Sequence, residues 1–111
     1  MKIEAIKTTP VNAMIRARTD EGKIIVLMPD MDAVERAVRR ELSEDDTRHL
    51  LEIRSEAIER AIEDKYRRGQ VTPNLNVRVR QAGGGFGIYG GGQYLDMSLT
   101  DDELRNALVI G

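Results

Sequence analysis

Residues 11–28, VNAMIRARTDEGKIIVLM, contain the pattern that decides the fold. In the first half, alternate positions are apolar, and a period of two places them on one face of a β-strand. These positions are Val11, Ala13, Ile15 and Ala17. Gly22 follows in an Asp-Glu-Gly turn and can adopt the positive φ that a short hairpin loop requires. The second strand, residues 24–28, is apolar on both faces, so we expect cover on both sides from helices or a partner subunit.

The hairpin is flanked by an earlier strand and by helices. Lys2–Thr8 is predicted as a strand that ends before Pro10. Pro29 ends the hairpin, and a helix begins at Asp30 or Asp32, since Asp32 and Glu35 have the spacing of a capping box. Its apolar stripe consists of Met31, Val34, Ala37, Val38 and Leu42.

A second, long helix is predicted over residues 44–68, with its cap at Ser43 and its end at Gly69. Acidic residues open this segment and basic residues close it, as the helix dipole favours. Its predicted buried face consists of Leu50, Leu51, Ile53, Ala57, Ile58, Ala61, Ile62 and Tyr66.

The C-terminal part returns to strands. Alternating apolar positions predict strands over residues 75–80 and 95–99, separated by the glycine-rich segment 83–92. Thr100 and Glu103 have capping-box spacing and predict a short closing helix carrying Leu104, Ala107 and Leu108. We therefore predict a single α+β domain over residues 1–111. A small sheet, formed by the N-terminal hairpin and the C-terminal strands, is packed by a helical pair, one of them long, and by the short C-terminal helix.

Composition excludes several classes of function. The 111 residues include no cysteine, which excludes a disulfide scaffold, a thiolate zinc site and a cysteine nucleophile. The net charge of −2 does not attract polyanions to the molecule as a whole. The apolar runs are far shorter than the ~20 residues of a membrane helix, and the start lacks the apolar core of a signal peptide. We expect a cytoplasmic protein with no membrane association.

The glycine-rich segment, residues 83–92, contains a match to the phosphate-binding pattern G-x-G-x-x-G at residues 85–90. A dinucleotide site requires a helix to begin in the motif, whereas the sequence here continues into more glycines and a strand. We interpret the segment as a loop or hairpin, and nucleotide or phosphate binding there remains the third hypothesis.

Arginines and aromatic residues form the candidate binding sites. Arg16 and Arg18 share one strand face, and Arg78 and Arg80 share another; if the strands are neighbours, the four guanidiniums form a basic patch suited to phosphate. Phe86, Tyr89 and Tyr94 lie in or beside the glycine-rich segment and could stack on bases or anchor a partner.

The sequence predicts neither a catalytic site nor a metal-binding site. His49 is the only histidine, and further ligands for a metal are not evident from spacing. The paired carboxylates at 45–46 and 101–102 are explained by helix starts. We therefore expect no enzymatic activity, no cofactor and no metal.

Residues 14–80 resemble a small uncharacterised bacterial α+β domain family. The resemblance is carried by residues 24–28 leading into Asp32-Ala33-Val34-Glu35, and by residues 58–62 continuing through Lys65-Tyr66-Arg67-Arg68-Gly69 into Val77-Arg78-Val79. It implies a hairpin, a helical pair and a terminal strand, and it implies no activity. The glycine-rich segment and the closing strand and helix are additions to that pattern.

The sequence thus predicts a small non-enzymatic protein that acts through contacts with a protein partner or with itself, as a homodimer. The alternative is a nucleic-acid-binding regulator that uses the strand arginines and the aromatic residues.

Overall fold

The computed structural model describes residues 1–73 and 94–110 and, for residues 78–80 and 86–88, the backbone. The strands are β1 (Lys2–Thr8), β2 (Ala13–Arg18), β3 (Ile24–Leu27), β4 (Thr72–Pro73), β5 (Arg78–Arg80), β6 (Phe86–Ile88) and β7 (Tyr94–Asp96). The helices are α1 (Met31–Val38), α2 (Glu44–Ile53), α3 (Ser55–Arg67) and α4 (Asp101–Arg105), and α4 continues into a π-helical turn, Asn106–Ile110.

Five strands form a mixed sheet in the order β1-β2-β3-β7-β4. β1, β2 and β3 are antiparallel neighbours, β7 runs parallel to β3, and β4 pairs antiparallel with β7. The helices of the described chain contribute to one core with the inward side chains of this sheet, including Ile15, Ile25 and Leu95. The predicted α+β class is confirmed.

The predicted hairpin is confirmed in its alternation and in its turn. Ala13, Ile15 and Ala17 are fully buried, and Gly22 has a φ of +86°. Val11 was placed on the same buried face, and this was wrong because the strand begins at Ala13; Val11 lies in the preceding connection and is 70% exposed.

The second hairpin strand is covered on one face by the described elements. Ile25 and Leu27 are buried beneath the helices, whereas Ile24 and Val26 are half-buried and Met28 is 59% exposed. The described helices pack on the face of Ile25 and Leu27, so the expected cover of the other face of β3, by helices or a partner subunit, is not provided by a described helix and stays a prediction for a partner.

The first helix is capped by Asp30, not by Asp32, and begins at Met31. The Asp30 carboxylate accepts a hydrogen bond from the Ala33 N–H at 2.7 Å. Glu35 does not complete a capping box; its carboxylate accepts instead from the Leu42 N–H at 2.8 Å, which holds the chain where it leaves α1. The second predicted cap is confirmed, because the Ser43 hydroxyl accepts from the Asp46 N–H at 3.1 Å.

The long helix predicted over residues 44–68 is two helices, α2 and α3, separated at Arg54 (φ −95°, ψ 15°). The break lets α2 pack against β1 while α3 packs against the C-terminal π-helical turn. Ile53, placed on the buried face, is 63% exposed. It follows Leu51 by two residues, about 200° around a helix, so it points away from the stripe that Leu51 shares with Ile58.

The C-terminal elements follow the prediction in part, because the strand predicted over residues 95–99 ends at Asp96. Leu95 and Met97 are buried, and Thr100 and Glu103 form the capping box of α4. Leu104, Ala107 and Leu108 join the core, while Ile110 is 71% exposed. Most of the glycine-rich segment, including residues 83–85 and 89–92, lies outside the described residues, as do Leu75 and Val77.

Among the helices of residues 1–73 and 94–110, none combines the length and the apolar character needed to cross a bilayer.

Candidate functional site

The candidate site is the face of the five-stranded sheet opposite the helices, called here the outer face. Side chains alternate along each strand, so the neighbours of the buried positions point to this face. The outer face consists of Lys2, Glu4, Ala5, Lys7, Met14, Arg16, Arg18, Ile24, Val26, Tyr94 and Asp96, with Met28 at the end of β3.

Strand register arranges the outer face in rows across the sheet. One row runs from Lys2 through Arg18 and Ile24 to Tyr94. The next runs from Ala5 through Arg16 and Val26 to Asp96. Directly opposed side chains on neighbouring strands are close enough to contact each other.

An apolar centre therefore lies between charged groups on the outer face. Met14 on β2 and Ile24 and Val26 on β3 are half-buried, and Met28 is mostly exposed. Lys2 and Lys7 on β1 and Asp96 on β7 are exposed on either side of this centre. Apolar side chains in a contiguous group on a surface mark contact sites more often than scattered ones do.

Glu4 holds the two arginines of β2. Its carboxylate accepts a hydrogen bond from the Arg18 guanidinium and lies 3.6 Å from Arg16 Nε. β1 has an irregular register between Ile3 and Ala5, which is where Glu4 lies. The hydrogen bond from Arg18 lowers the pKa of Glu4. In neutral solution the ionised carboxylate and the two guanidiniums therefore form one ionic cluster.

The structure brings together three of the seven residues singled out from sequence. Arg16, Arg18 and Tyr94 lie on the outer face, and Tyr94 is opposite Ile24, whose other neighbour is Arg18. Arg78 and Arg80 are on β5, which pairs with β6 in a separate two-stranded sheet, whereas β2 has β1 and β3 as its neighbours. β2 and β5 are therefore not neighbours in a sheet, so the condition for a four-arginine patch on adjacent strands is not met, and binding by these arginines stays a prediction.

The remaining predicted site residues cannot be placed in this arrangement. Phe86 lies on β6, where the structure describes the backbone, and Tyr89 lies outside the described residues. The pattern at residues 85–90 also lies largely outside them, so phosphate binding there stays a prediction. A shift in thermal stability on adding millimolar nucleotide, diminished by Gly87→Ala, would test it.

A crevice opens at the edge of the sheet where the parallel strands β3 and β7 end. It has a volume of about 590 Å³ and lies beside the starts of α1 and α4. Arg36 of α1 and Asp101 of α4 form an ion pair of 3.4 Å at this place. Sequence reasoning missed the crevice, although one signal was present: each of the two strands is followed within a few residues by a capped helix start.

A second ionic cluster fixes the connection between β7 and α4. Lys65 is buried on α3, and its Nζ donates to the Ser98 carbonyl at 2.6 Å and to Glu103 Oε1 at 2.7 Å. Burial disfavours the charged form of Glu103, but the hydrogen bonds from Lys65 and from the Thr100 N–H outweigh it and lower the pKa of Glu103. Sequence reasoning missed this pair because it interpreted Lys65 only as one of the basic residues that the helix dipole favours at the end of a helix.

Reactive side chains are not gathered in the described part of the chain. His49 is exposed on α2. No group of three or more His, Asp or Glu residues among residues 1–73 and 94–110 is placed to hold a metal ion.

No protein-family model, no curated protein and no solved structure matches the chain. Function is therefore inferred from the chain's own residues.

Proposed function

We propose that this chain is a small, non-enzymatic binding protein whose outer face contacts a protein partner. The observation that carries the proposal is the apolar centre of that face, formed by Met14, Ile24, Val26 and Met28, over which no described helix packs. Burying such side chains against a partner is favourable by roughly 25 cal/mol per Å² of apolar surface.

The face is better suited to binding than the edges of the sheet. β4, one edge, is only Thr72–Pro73, and proline cannot donate to an added strand. On β1, the other edge, the Ile3 N–H already donates to Glu59 Oε1 at 2.8 Å, so α3 occupies part of that edge. Protection of this kind is how native sheets avoid adding strands from other chains.

Charge indicates the chemistry of the partner. The outer face carries four basic side chains, Lys2, Lys7, Arg16 and Arg18, against the two acidic ones Glu4 and Asp96, whereas the whole chain has a net charge of −2. A second copy packed face to face would oppose two surfaces of the same sign, which is unfavourable. A partner with an apolar centre and acidic surroundings is complementary, so we favour a different protein over a homodimer.

Capture from the native cell tests the proposal. Tagged wild-type protein is expected to retain a specific partner, and Met14→Glu is expected to lose it because the variant places a negative charge in the apolar centre. The matched control is Ile53→Glu, which changes another exposed apolar residue on the helical side and should retain the partner.

Light scattering of the purified protein complements the capture experiment. We expect a monomer at high micromolar concentration. A dimer that Met14→Glu dissociates would show that the outer face binds a second copy, and equal capture by wild type and Met14→Glu would remove the face as the contact surface.

A nucleic-acid function remains the second candidate, because Arg16, Arg18 and Tyr94 share the outer face. Its test is fluorescence anisotropy with single-stranded RNA and with duplex DNA at low salt. Binding through phosphates should weaken steeply as salt rises, and Arg16→Ala/Arg18→Ala should reduce it. Unchanged binding by the double variant would exclude this use of the arginines.

A further inference from the structure

The crevice at the ends of β3 and β7 has the dimensions and lining of a small-molecule site. Nine apolar and five polar residues line its volume of about 590 Å³. Ligand pockets have volumes of roughly 300–1,000 Å³ and are lined mainly by apolar side chains with a few polar groups. Ile15, Leu27 and Leu104 form a wall that belongs to the core, each at most 1% exposed. A bound apolar group would therefore contact a surface that is already in place.

The charged groups around the crevice are already engaged within the chain. Arg36 and Asp101 form the ion pair described above. Asp30 caps the start of α1, Thr100 caps the start of α4, and Asp96 also has a partner. A charged ligand would lose hydration in the crevice without meeting a free group of opposite charge, which is unfavourable. The crevice therefore favours an uncharged ligand.

The backbones of the two parallel strands separate at the crevice. The Val26 carbonyl accepts a hydrogen bond from the Met97 N–H at 3.1 Å. Hydrogen bonds between parallel strands are evenly spaced, so the next one would join the Met28 N–H to the Met97 carbonyl. That bond is absent from the described part of the chain, where residues 26–29 and 96–99 instead flank the crevice.

Strand geometry directs backbone polar groups of both segments into this gap. The Ala13 N–H donates to the Pro29 carbonyl at 2.9 Å, so Pro29 faces β2. Successive residues of a strand face opposite neighbours, which places the N–H of Met28 on the side of β7. The N–H and the carbonyl of one extended residue point the same way, so the Met97 carbonyl faces β3 as its N–H does. One donor and one acceptor thus face each other across the crevice.

We propose that the crevice binds a small uncharged carboxamide, whose apolar part lies against the core wall and whose amide group bridges the two strands. The ligand carbonyl accepts from the Met28 N–H, and the ligand N–H donates to the Met97 carbonyl. A carboxamide carries this acceptor and this donor close together without a net charge. The inference goes beyond protein contacts through the outer face, and its test requires no partner protein.

An NMR titration of the intact chain at pH 7 tests the ligand class. The probes are 3-phenylpropanamide, 4-phenylbutan-2-one, 3-phenylpropanoate and 3-phenylpropylamine, which share a phenylalkyl group and end in a carboxamide, a ketone, an anion and a cation. We expect the carboxamide to bind with a Kd on the order of 1 mM and to shift the Met28 amide proton downfield. The ketone lacks the N–H donor and should bind about fivefold more weakly. The two ions should bind more weakly still.

Two pairs of variants locate the bound carboxamide. Ala33→Leu narrows the crevice and should abolish the shifts, whereas Ala61→Leu, also at a half-buried alanine in a helix, lines a different surface and should leave them unchanged. Met28→Pro removes the backbone N–H and should weaken carboxamide binding about fivefold. Met28→Leu changes the same side chain, keeps the N–H and should bind as the wild type does.

Three results would overturn the inference. The first is the absence of shifts with 3-phenylpropanamide at 10 mM, on the order of ten times the expected Kd. The second is equal or tighter binding of the ketone or of either ion, which would contradict the carboxamide class. The third is unchanged carboxamide binding by a folded Ala33→Leu or Met28→Pro variant, which would place the ligand outside the crevice or away from the backbone of Met28.

Discussion

Arg39 ends α1 in a left-handed conformation (φ 59°, ψ 40°), and its N–H donates to the Glu35 carbonyl at 2.7 Å. The Cβ atom of a non-glycine residue makes this conformation unfavourable by roughly 1–2 kcal/mol, which is why glycine is common at such positions. We expect Arg39→Gly to raise the free energy of unfolding by about 0.5–1 kcal/mol, the gain being reduced by the greater freedom of glycine in the unfolded chain. Urea denaturation measures the change.

The neighbouring residue provides the control. Arg40 is exposed and is not among the described residues with positive φ. Arg40→Gly should therefore not stabilise the protein. Equal stabilisation by both variants would show that losing positive charge, and not relieving the backbone of Arg39, is responsible.

The Lys65–Glu103 pair makes stability depend on pH. The pKa of Glu103 is lower in the folded chain than its ordinary value of 4.5, so its contribution is present above that value and is lost as pH falls through the folded pKa. We expect Glu103→Gln to cost about 2 kcal/mol at pH 7, the scale of a hydrogen bond to a charged group. Urea denaturation at pH 7, 5, 4 and 3 should show the difference from wild type shrinking at the acidic end.

Glu63→Gln is the control for this pair. Glu63 forms an exposed ion pair with Arg67 at 2.9 Å, and such surface pairs contribute a few tenths of a kcal/mol. A Glu103→Gln difference that stays constant from pH 7 to pH 3 would contradict the assignment of the stabilisation to the ionised carboxylate.

At the scale of elements, Ser43 caps the start of α2, the helix that follows α1. Its hydroxyl accepts from the Asp46 N–H, one of the unpaired donors at a helix start. We expect Ser43→Ala to lower the free energy of unfolding by about 1 kcal/mol. Ser55→Ala is the matched control, because α3 has no side-chain cap at its start, and it should change stability by less than about 0.5 kcal/mol.

Local signals predicted the local elements well. The alternation from Ala13 to Ala17, the turn at Gly22, the cap at Ser43 and the capping box at Thr100 all act within a few residues, so each is readable from sequence. The break at Arg54 was not readable, because it depends on long-range packing: α2 packs against β1, whereas α3 contacts both β1 and the C-terminal π-helical turn.

The candidate site was predictable in part for the same reason. Alternation placed Arg16 and Arg18 on one face of one strand, and the structure confirms it. Which strands are neighbours is a long-range property, so the pairing of β5 with β6 and of β7 with β3 could not be derived from spacing. The crevice depends on the parallel pair and was missed with it.

At the scale of the whole molecule, the two faces of the sheet have different roles. Inward residues form the core with the helices, and outward residues form a basic and apolar surface on a chain whose net charge is −2. The positive outer face and the acidic remainder make the molecule electrostatically asymmetric, which favours approach of an acidic partner to that face.

The most direct test of the outer face is site-specific photo-crosslinking in the native cell, with a photoreactive amino acid placed at Ile24 or at Ile53. Ile24 lies on the outer face, and Ile53 is exposed on the helical side. We predict a discrete adduct of higher mass from position 24 and none from position 53. An adduct from position 53 alone, or none from either position, would contradict a protein contact through the outer face.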